Sequence, residues 1–526
     1  MTARTQLKEL MGELPFSAEL YWLVRNPEYK TFSRFSLEAL KVRLPEMVSQ
    51  VSHHADGAPT GKKIFCFASL HFWISHIAVT GLTLRGLGCA VSLGYLPYSD
   101  FAKPISRFDL RRHDLYTKNV FRLIKPLLKT ISFLDLEQER NIPEVLAQAV
   151  ERVTVFDTQY SLQREVVTGD EPIYHLRHER NLEAACKAYA YLLKNRPDVV
   201  IVPNGMIQEF GAVYETARYL DIPVTTYEFG EQDQRVWLGQ NRQVMYHNVD
   251  KPWAKCKDRK LDEEQRTWLE TFLAERQGLS TGDTFAHLWQ KASRTGGEKI
   301  RQILGLDQRP IVLLPTNVLG DSATLGRTVF SRTMADWVAR TVQFLAGKPQ
   351  VQLVVRIHPG ETMTLGPSVA EIIQQELPEL PPHFRMIGPT EKVNTYDLME
   401  ITDLALVYTT TAGLEMALRG IPVMVGGGAH YRRKGFTLDA DSWEEYFLQL
   451  ESILPDLASH RLNPEQMKTA WNYAYFFFRE YPRPFPWHLE QFAKNLDKTP
   501  LADVLNEKGR GEFETTFQQM AGLPAD

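Results

Sequence analysis

Residues 404–428 read LALVYTTTAGLEMALRGIPVMVGGG. An apolar run ends in three threonines, a helical pattern follows over 412–420, and a second apolar run begins at Ile421. Strands that are apolar throughout and alternate with helices are typical of a parallel sheet covered on both faces. The stretch therefore predicts a strand–helix–strand unit with polar residues where its strands end.

The same alternation recurs on both sides of this stretch. Further strands are predicted over 63–69, 90–96, 198–205, 222–230, 309–317, 352–358 and 383–389. Helices are predicted over 71–87, 207–220, 330–346 and 395–402. Two doubly wound α/β units in tandem enclose a cleft, and ligands in such sheets bind at the carboxyl ends of the strands.

Composition excludes several classes of protein. A length of 526 residues predicts two or more domains, and a net charge of −4 argues against nucleic-acid binding. The four cysteines lie far apart without metal-ligand spacing, which is typical of reduced thiols in a cytosolic protein. No signal peptide or transmembrane segment is predicted, so we expect a cytoplasmic protein.

The unusual residues of the second half follow its strands. Arg356 and His358 end the strand in QLVVRIHPGE (352–361), and Thr409, Thr410 and Thr411 precede a helix. A helix start presents free N–H groups and a positive dipole end, which together favour an anion. A threonine there can cap the helix and also donate to a phosphate oxygen.

Neighbouring residues complete a predicted nucleotide pocket. Gly413 would let a ligand approach the backbone closely, and Glu415 would accept from ribose hydroxyls. The remaining members lie at the end of strand 309–317 and in GGGAHYRRKG (426–435), and they are Asn317, His430, Tyr431, Arg432 and Lys434. The set is positively charged and suits a nucleoside monophosphate or diphosphate.

Each feature also has a purely structural interpretation. The threonines can simply cap a helix, the basic loop can be a solvated patch, and the glycines can form a turn. Neither GxGxxG nor GxxxxGK[ST] follows the first strand of either half, which argues against a Rossmann dehydrogenase and a P-loop NTPase.

Residues 394–399 (NTYDLM), 404–437 and 356–361 (RIHPGE) resemble bacterial capsule-polysaccharide glycosyltransferases. That group includes capsule Kdo transferases and bacterial sialyl- and polysialyltransferases. The resemblance covers roughly residues 311–437. It implies a GT-B fold, in which two Rossmann-like doubly wound domains face a central cleft, with the donor on the second domain and the acceptor on the first.

The resemblance also implies roles for particular residues. His358 would contact the donor phosphate or assist the leaving group, and Thr409 to Thr411 would hold phosphate. Many relatives use CMP-linked sugars, which suggests CMP-Kdo or CMP-sialic acid as donor. On chemical grounds, Arg356 would neutralise the departing phosphate, and His358 would act as imidazolium or protonate the leaving oxygen. No DxD motif ends a strand in the first half, so we expect no metal ion and no cofactor.

Candidates for the catalytic base and the acceptor side lie at strand ends of the first half. They are His71, Asn204, Gly205, Glu209, Glu228 and Glu231. Glu228 directly ends an apolar strand, where burying a carboxylate without a partner costs free energy of folding. The structural interpretation of Glu209 is a solvated helix face.

We predict five segments. They are an N-terminal helical segment (1–60), an acceptor domain (61–255), a helical connector (256–300), a donor domain (301–469) and C-terminal helices that cross back to the first domain (470–526).

The leading hypothesis is a metal-independent glycosyltransferase of capsule or surface polysaccharide synthesis, acting on a glycan or lipid-linked acceptor. A peripheral place at the inner face of the cytoplasmic membrane, or in the polysaccharide assembly machinery, is compatible with that role. Two alternatives stay open. One is a nucleotide-sugar 2-epimerase-like enzyme, and the other is an inactive GT-B module that binds glycan.

Overall fold

A computed structural model describes residues 3–25, 34–54, 61–137, 142–279 and 292–524. Parts of the predicted N-terminal segment and connector lie outside these ranges, including residues 280–284 of the stretch 278–284. The described chain forms two sheets, each covered by helices.

The first sheet has seven strands in the order β13-β6-β5-β4-β1-β2-β3. Its strands are β1 (Lys63–Ser69), β2 (Ala90–Leu96), β3 (Lys129–Ser132), β4 (Val199–Pro203), β5 (Val224–Glu228), β6 (Arg235–Gln240) and β13 (Arg483–Pro484). β1 to β5 pair in parallel, whereas β6 and β13 add antiparallel strands at one edge. The parallel strands are nearly continuous apolar runs because helices cover both faces.

The second sheet has six strands in the order β12-β11-β10-β7-β8-β9, all of them parallel. They are β7 (Ile311–Pro315), β8 (Gln352–Arg356), β9 (Phe384–Ile387), β10 (Leu404–Val407), β11 (Val423–Val425) and β12 (Leu438–Asp439). β10 is therefore flanked by β7 on one side and β11 on the other, and this order decides what lies beside the ends of each strand.

Of the helices that precede the second sheet, those up to Tyr219 belong to the first domain, whereas the last three contribute Trp253, Phe272 and Ile300 to a core of the second. In chain order, the helices before the second sheet are α1 (Ala3–Glu13), α2 (Ser17–Arg25), α3 (Glu38–Lys41), α4 (Leu44–His54), α5 (His71–Gly86), α6 (Arg107–Phe121), α7 (Glu144–Leu162), α8 (Pro172–Lys194), α9 (Gln208–Tyr219), α10 (Asp250–Ala254), α11 (Glu263–Arg276) and α12 (Gly297–Ile303). α5 is buried almost all round because it lies against β1 and β2 and is also covered by α4.

The remaining helices are α13 (Met334–Ala346), α14 (Val369–Glu376), α15 (Thr395–Glu400), α16 (Ala412–Ala417), α17 (Trp443–Ile453), α18 (Pro464–Tyr475), α19 (Phe492–Lys498), α20 (Leu501–Leu505) and α21 (Glu507–Met520). α18 continues into a single π-turn over Phe476–Glu480. Beyond that turn, β13 joins the first sheet and α20 packs on α4 and α5, so residues such as Trp487 and Phe517 belong to the first core.

Fourteen of the predicted elements have counterparts in the structure, generally shortened by one to three residues at an end. The predicted strands 63–69 and 90–96 coincide with β1 and β2, whereas the helix predicted over 412–420 has only the six residues of α16. The short strands β3, β6, β12 and β13 were not predicted. The two doubly wound domains confirm the predicted GT-B class.

Within the described residues, no helix combines the length and the apolarity that crossing a membrane requires.

Candidate functional site

A cleft of about 1050 Å³ opens where β7, β8 and β10 end. Its walls come from Pro315–Val318 after β7, from Arg356 and His358 after β8, and from Thr409–Ala412 after β10. This volume is in the range of small-molecule sites in proteins. The structure thus brings together the polar residues that the sequence placed at three strand ends.

Arg356 is a buried cation in this cleft. One terminal nitrogen donates to the carbonyl oxygens of Ile357 and Gly388, at 3.0 and 2.6 Å, while Nε has no hydrogen-bond partner among the described residues. No carboxylate of the described ranges forms an ion pair with it, and burial lowers its pKa. The charge of Glu391 offsets only part of the effect of burial on this pKa, so an anionic ligand would stabilise the buried guanidinium further.

His358 lies beside Arg356 and is held in one tautomer. Its Nδ1 accepts a hydrogen bond from the backbone N–H of Gly360 at 3.0 Å, so the neutral ring carries its proton on Nε2. Burial, helped by the charge of Arg356, lowers the pKa of His358 to about 4. At neutral pH the ring is therefore an uncharged hydrogen-bond donor in this structure, which differs from the imidazolium expected from the sequence.

The threonine turn after β10 offers one free hydroxyl. Thr409 Oγ1 is buried and has no partner in the described part of the chain, and its backbone N–H donates to Asn317 Oδ1 at 3.2 Å. Thr410 Oγ1 accepts weakly from the N–H of Ala412, and Thr411 makes no side-chain cap. Because α16 spans under two turns, the side chains contribute more here than a helix dipole does.

Gly413 was predicted to let a ligand approach the backbone, but in the structure a side chain lies against it. A Cβ atom added there would lie 2.2 Å from the hydroxyl of Tyr431, whose side chain is fully buried. That hydroxyl donates to the carbonyl oxygen of Thr410 at 2.6 Å. Gly413 thus admits Tyr431 rather than a ligand, and Tyr431 supports the threonine turn from behind.

Glu415 lines the cleft but already has a partner. Arg276, from α11, donates to its Oε1 at 2.8 Å and also pairs with Glu231 of the first domain. Glu415 Oε2 has no hydrogen-bond partner among the described side chains, so one oxygen is left for a ligand. Arg276 was not predicted, because an arginine at the end of a charged connector helix is common in sequences.

Two carboxylates, one from each domain, interact electrostatically, although Glu228 does not itself line the cleft. Glu228 ends β5, accepts from Asn204 Nδ2 at 3.0 Å, and has its pKa raised to about 7 by burial, with the charge of Asp321 adding to the rise. Asp321 follows β7 and lines the cleft; burial raises the pKa of its carboxyl, and no cation in the described ranges offsets that rise. Asp321 was missed, although the rule of polar residues after a strand end applies to it.

Glu209 is buried in the first domain, where other side chains bind both of its carboxylate oxygens. It accepts from Arg177 at 2.8 Å and from Ser69 Oγ at 2.5 Å, and Arg177 also pairs with Asp157 at 2.6 Å. These partners outweigh burial and lower the pKa of Glu209. It is neither the solvated residue nor the available base that the sequence suggested.

His71 begins α5 and contacts the ring of Phe35, 5.9 Å away between centroids. Burial lowers its pKa. His71 lines neither the cleft nor the pocket that adjoins it. Its assignment as a catalytic residue gains no support from this position.

The basic loop after β11 is neutralised by its own neighbours. Arg432 pairs with Asp441 at 2.9 Å, Arg433 pairs with the same carboxylate, and Lys434 pairs with Asp250 at 2.6 Å. None of the three lines the cleft. The residues Asp439–Asp441 act as counter-charges to the loop, so Arg432 and Lys434 do not form the positive wall that was predicted.

A second pocket adjoins the cleft and shares Arg276, Ala323, Thr409 and Thr411 with it. Its empty volume is about 800 Å³, and aromatic side chains dominate its walls. They are Trp237, Phe272, Phe477 and Phe478, together with the imidazoles of His247 and His430. His430 therefore lies in the structure beside the predicted phosphate site rather than within it.

Among the described residues, no three side chains of the types that ligate metal ions cluster together.

Residues 277–459 match the family model described as "Capsule polysaccharide biosynthesis protein". The matched domain, about a third of the chain, is similar to capsule polysaccharide biosynthesis proteins. The match confirms the family resemblance seen in the sequence. The domain includes Asn317, Asp321, Arg356, His358, the threonine turn and Glu415, and so holds most of the cleft wall. No curated protein sequence matches the chain significantly.

Solved structures with similar folds include two from Thermosulfurimonas dismutans, named as KpsC β-Kdo 2,7 and 2,4 transferases. They are 14% and 17% identical to the chain, with TM-scores of 0.33 and 0.35. The matches cover 59% and 55% of this chain and 88% and 82% of those chains. A UDP-GlcNAc 2-epimerase from Neisseria meningitidis is 14% identical, with a TM-score of 0.26, over 80% of this chain and 99% of that one. Likenesses of this strength do not identify a substrate.

Proposed function

We propose that the chain is a glycosyltransferase that moves a sugar from a nucleotide-sugar to a glycan or lipid-linked acceptor in capsule polysaccharide biosynthesis. The observation that carries this proposal is Arg356, a buried cation without a carboxylate partner in the described ranges, in a cleft of the capsule biosynthesis domain. A phosphate group supplies the charge that this guanidinium lacks.

Three groups in the cleft are suited to a departing phosphate. Arg356 contributes charge, Thr409 contributes a hydroxyl, and His358 contributes the N–H of its Nε2 tautomer. Fixed donors aimed at developing negative charge in a partly desolvated site lower the barrier to bond cleavage. In this proposal the leaving phosphate is stabilised by protein groups rather than by a metal ion.

In this proposal, Glu228 and Asp321 are the carboxylates that act on the acceptor and the sugar. Glu228 has a pKa of about 7, a value suited to removing a proton near neutral pH. Asp321 lines the cleft and lies two residues before Ala323, which lines both the cleft and the adjoining pocket, so in this proposal it acts between the phosphate and the sugar. Of the acidic side chains along the described cleft wall, Glu231 and Glu415 are paired with Arg276, whereas Asp321 has no cationic partner.

For the donor we propose a CMP-linked sugar such as CMP-Kdo. This part of the proposal is supported by the resemblance of RIHPGE (356–361) and residues 404–437 to enzymes that use such donors. The cleft is large enough for a nucleoside monophosphate.

Product analysis tests the proposal directly. The chain is incubated with CMP-Kdo, CMP-sialic acid or UDP-GlcNAc, with and without a capsule-type oligosaccharide acceptor, and the products are separated by mass. We expect a glycosylated product and free nucleotide only when the acceptor is present. Epimerisation of a nucleotide-sugar alone would instead support an epimerase, and failure to bind any nucleotide would indicate an inactive module.

A further inference from the structure

The second pocket, here called the aromatic pocket, lies on one side of the residues proposed to bind phosphate. The cleft covers the ends of β7 and β8, whereas the aromatic pocket lies past β10, beside Gly428, Ala429 and His430 after β11. The threonine turn borders both. A single elongated ligand with its phosphate between Arg356 and Thr409 would thus reach into the aromatic pocket with one end.

The hydrogen bonds of His430 determine which of its nitrogens is left for a ligand. The hydroxyl of Tyr473 donates to the carbonyl oxygen of His430 at 2.7 Å, so its oxygen accepts from His430 Nδ1 at 3.0 Å. The proton is therefore on Nδ1, and Nε2 has a lone pair that is buried without a partner in the described residues. Burial lowers the pKa of His430 well below its usual value, so this acceptor persists at neutral pH.

Trp237 presents the complementary group. Its indole Nε1–H is buried and has no hydrogen-bond partner in the part of the chain described. The ring is fixed at 81° against His247, with 4.5 Å between the ring centroids. A buried donor or acceptor that stays unsatisfied costs free energy, so an unpaired donor and an unpaired acceptor in one pocket indicate a polar ligand.

The walls indicate the shape of that ligand. Phe477 stacks on His430 with 3.6 Å between centroids, and Phe272 and Phe478 extend the apolar surface. A pyranose ring has apolar C–H faces and a rim of hydroxyls that both donate and accept. A purely apolar ligand would leave His430 Nε2 and Trp237 Nε1 unsatisfied.

We propose that the aromatic pocket binds the sugar ring of the donor, with His430 Nε2 accepting from one sugar hydroxyl and Trp237 Nε1 donating to another. The inference rests on the proposed glycosyltransferase function and assigns specificity for the transferred sugar to these two residues. The nucleoside then occupies the part of the cleft lined by Thr395, Tyr396 and Glu415.

The test compares free nucleotides with their sugar conjugates by titration calorimetry. The pairs are CMP with CMP-sialic acid, CMP with CMP-Kdo, and UDP with UDP-GlcNAc. Trp237→Phe keeps an aromatic wall and removes the N–H, and His430→Phe removes the acceptor. Trp443→Phe is the matched control, because Trp443 packs on Phe330 and Tyr446 and lines neither pocket.

We expect Trp237→Phe to weaken one nucleotide-sugar about five- to thirtyfold, the effect of one lost buried hydrogen bond, while free nucleotide binding changes less than twofold. Equal weakening of nucleotide and conjugate, no weakening, or an effect on acceptor KM alone would overturn the inference. If His430→Phe does not fold, Trp237→Phe alone decides. Absence of nucleotide binding by the unmutated chain would instead overturn the proposed function.

Discussion

Arg276 donates to Glu415 across 2.8 Å, and both side chains are buried beside the cleft. The same guanidinium pairs with Glu231, which follows the last parallel strand of the first domain. Arg276 thus joins the two domains at the edge of the donor cleft. Glu415 has both this structural partner and an unpaired oxygen for a ligand.

Glu415→Gln separates the two roles of that carboxylate. We expect CMP affinity to fall about ten- to a hundredfold if a charged hydrogen bond to the ribose is lost, with little change for inorganic pyrophosphate. Calorimetry with both ligands measures the ratio. Glu231→Gln is the control, since it also removes a partner of Arg276 but should leave the ratio unchanged. Equal CMP affinity in Glu415→Gln and the parent would remove the ribose assignment.

Glu228 should make stability depend on pH. Its pKa is about 7 in the folded chain and near the ordinary glutamate value of 4.5 when unfolded, so the folded state retains a proton that the unfolded state releases. Between these values the folded state binds more protons, and stability falls as pH rises. Relative to the parent, Glu228→Gln should therefore become more stable from pH 5 to pH 8 in thermal melts. A constant difference across that range would show that Glu228 does not titrate in this way.

Asp321→Asn should affect chemistry rather than binding. The side chain keeps its size and its place in the cleft wall but loses its carboxylate. We expect kcat to fall about 10²- to 10⁴-fold, with the Kd for CMP within twofold of the parent. Steady-state kinetics and calorimetry measure the two quantities. A variant with normal kcat would exclude Asp321 from the mechanism.

His358→Ala should abolish most transfer while the chain stays folded. Removing one fixed donor to a developing charge costs about 10²- to 10³-fold in kcat in other enzymes. Circular dichroism checks the fold, and His460→Ala, at an exposed histidine outside the cleft, serves as control. Unchanged turnover in His358→Ala would leave this residue without a catalytic role.

The sequence predicted the fold well because buried parallel strands have a clear signature. β1, β4, β7 and β10 are apolar runs between helices, and each was located to within a few residues. β6 and β13 were missed because they are antiparallel additions at one side of a parallel sheet, and β13 has only two residues and pairs with residues almost 250 positions away in the sequence.

The cleft was predicted in part. Arg356, His358 and Thr409 were found because polar residues at strand ends converge at one edge of a sheet. Side-chain pairing was not predictable from the sequence. Arg432 and Lys434 were predicted to bind the donor, but in the structure both pair with acidic residues. Glu209 had the pattern of an exposed helix residue, but Arg177 pairs with it in the core. Arg276 and the aromatic pocket depend on contacts between distant segments.

If the donor phosphate binds at Arg356, the loss of that guanidinium weakens CMP binding, which titration of Arg356→Gln with CMP measures. The control is Arg385→Gln, because Arg385 also donates to backbone carbonyls but lies outside the cleft. We predict that Arg356→Gln binds CMP about ten- to a hundredfold more weakly than the parent, whereas Arg385→Gln binds it normally. Parental CMP affinity in Arg356→Gln, with binding otherwise intact, would contradict phosphate binding at Arg356.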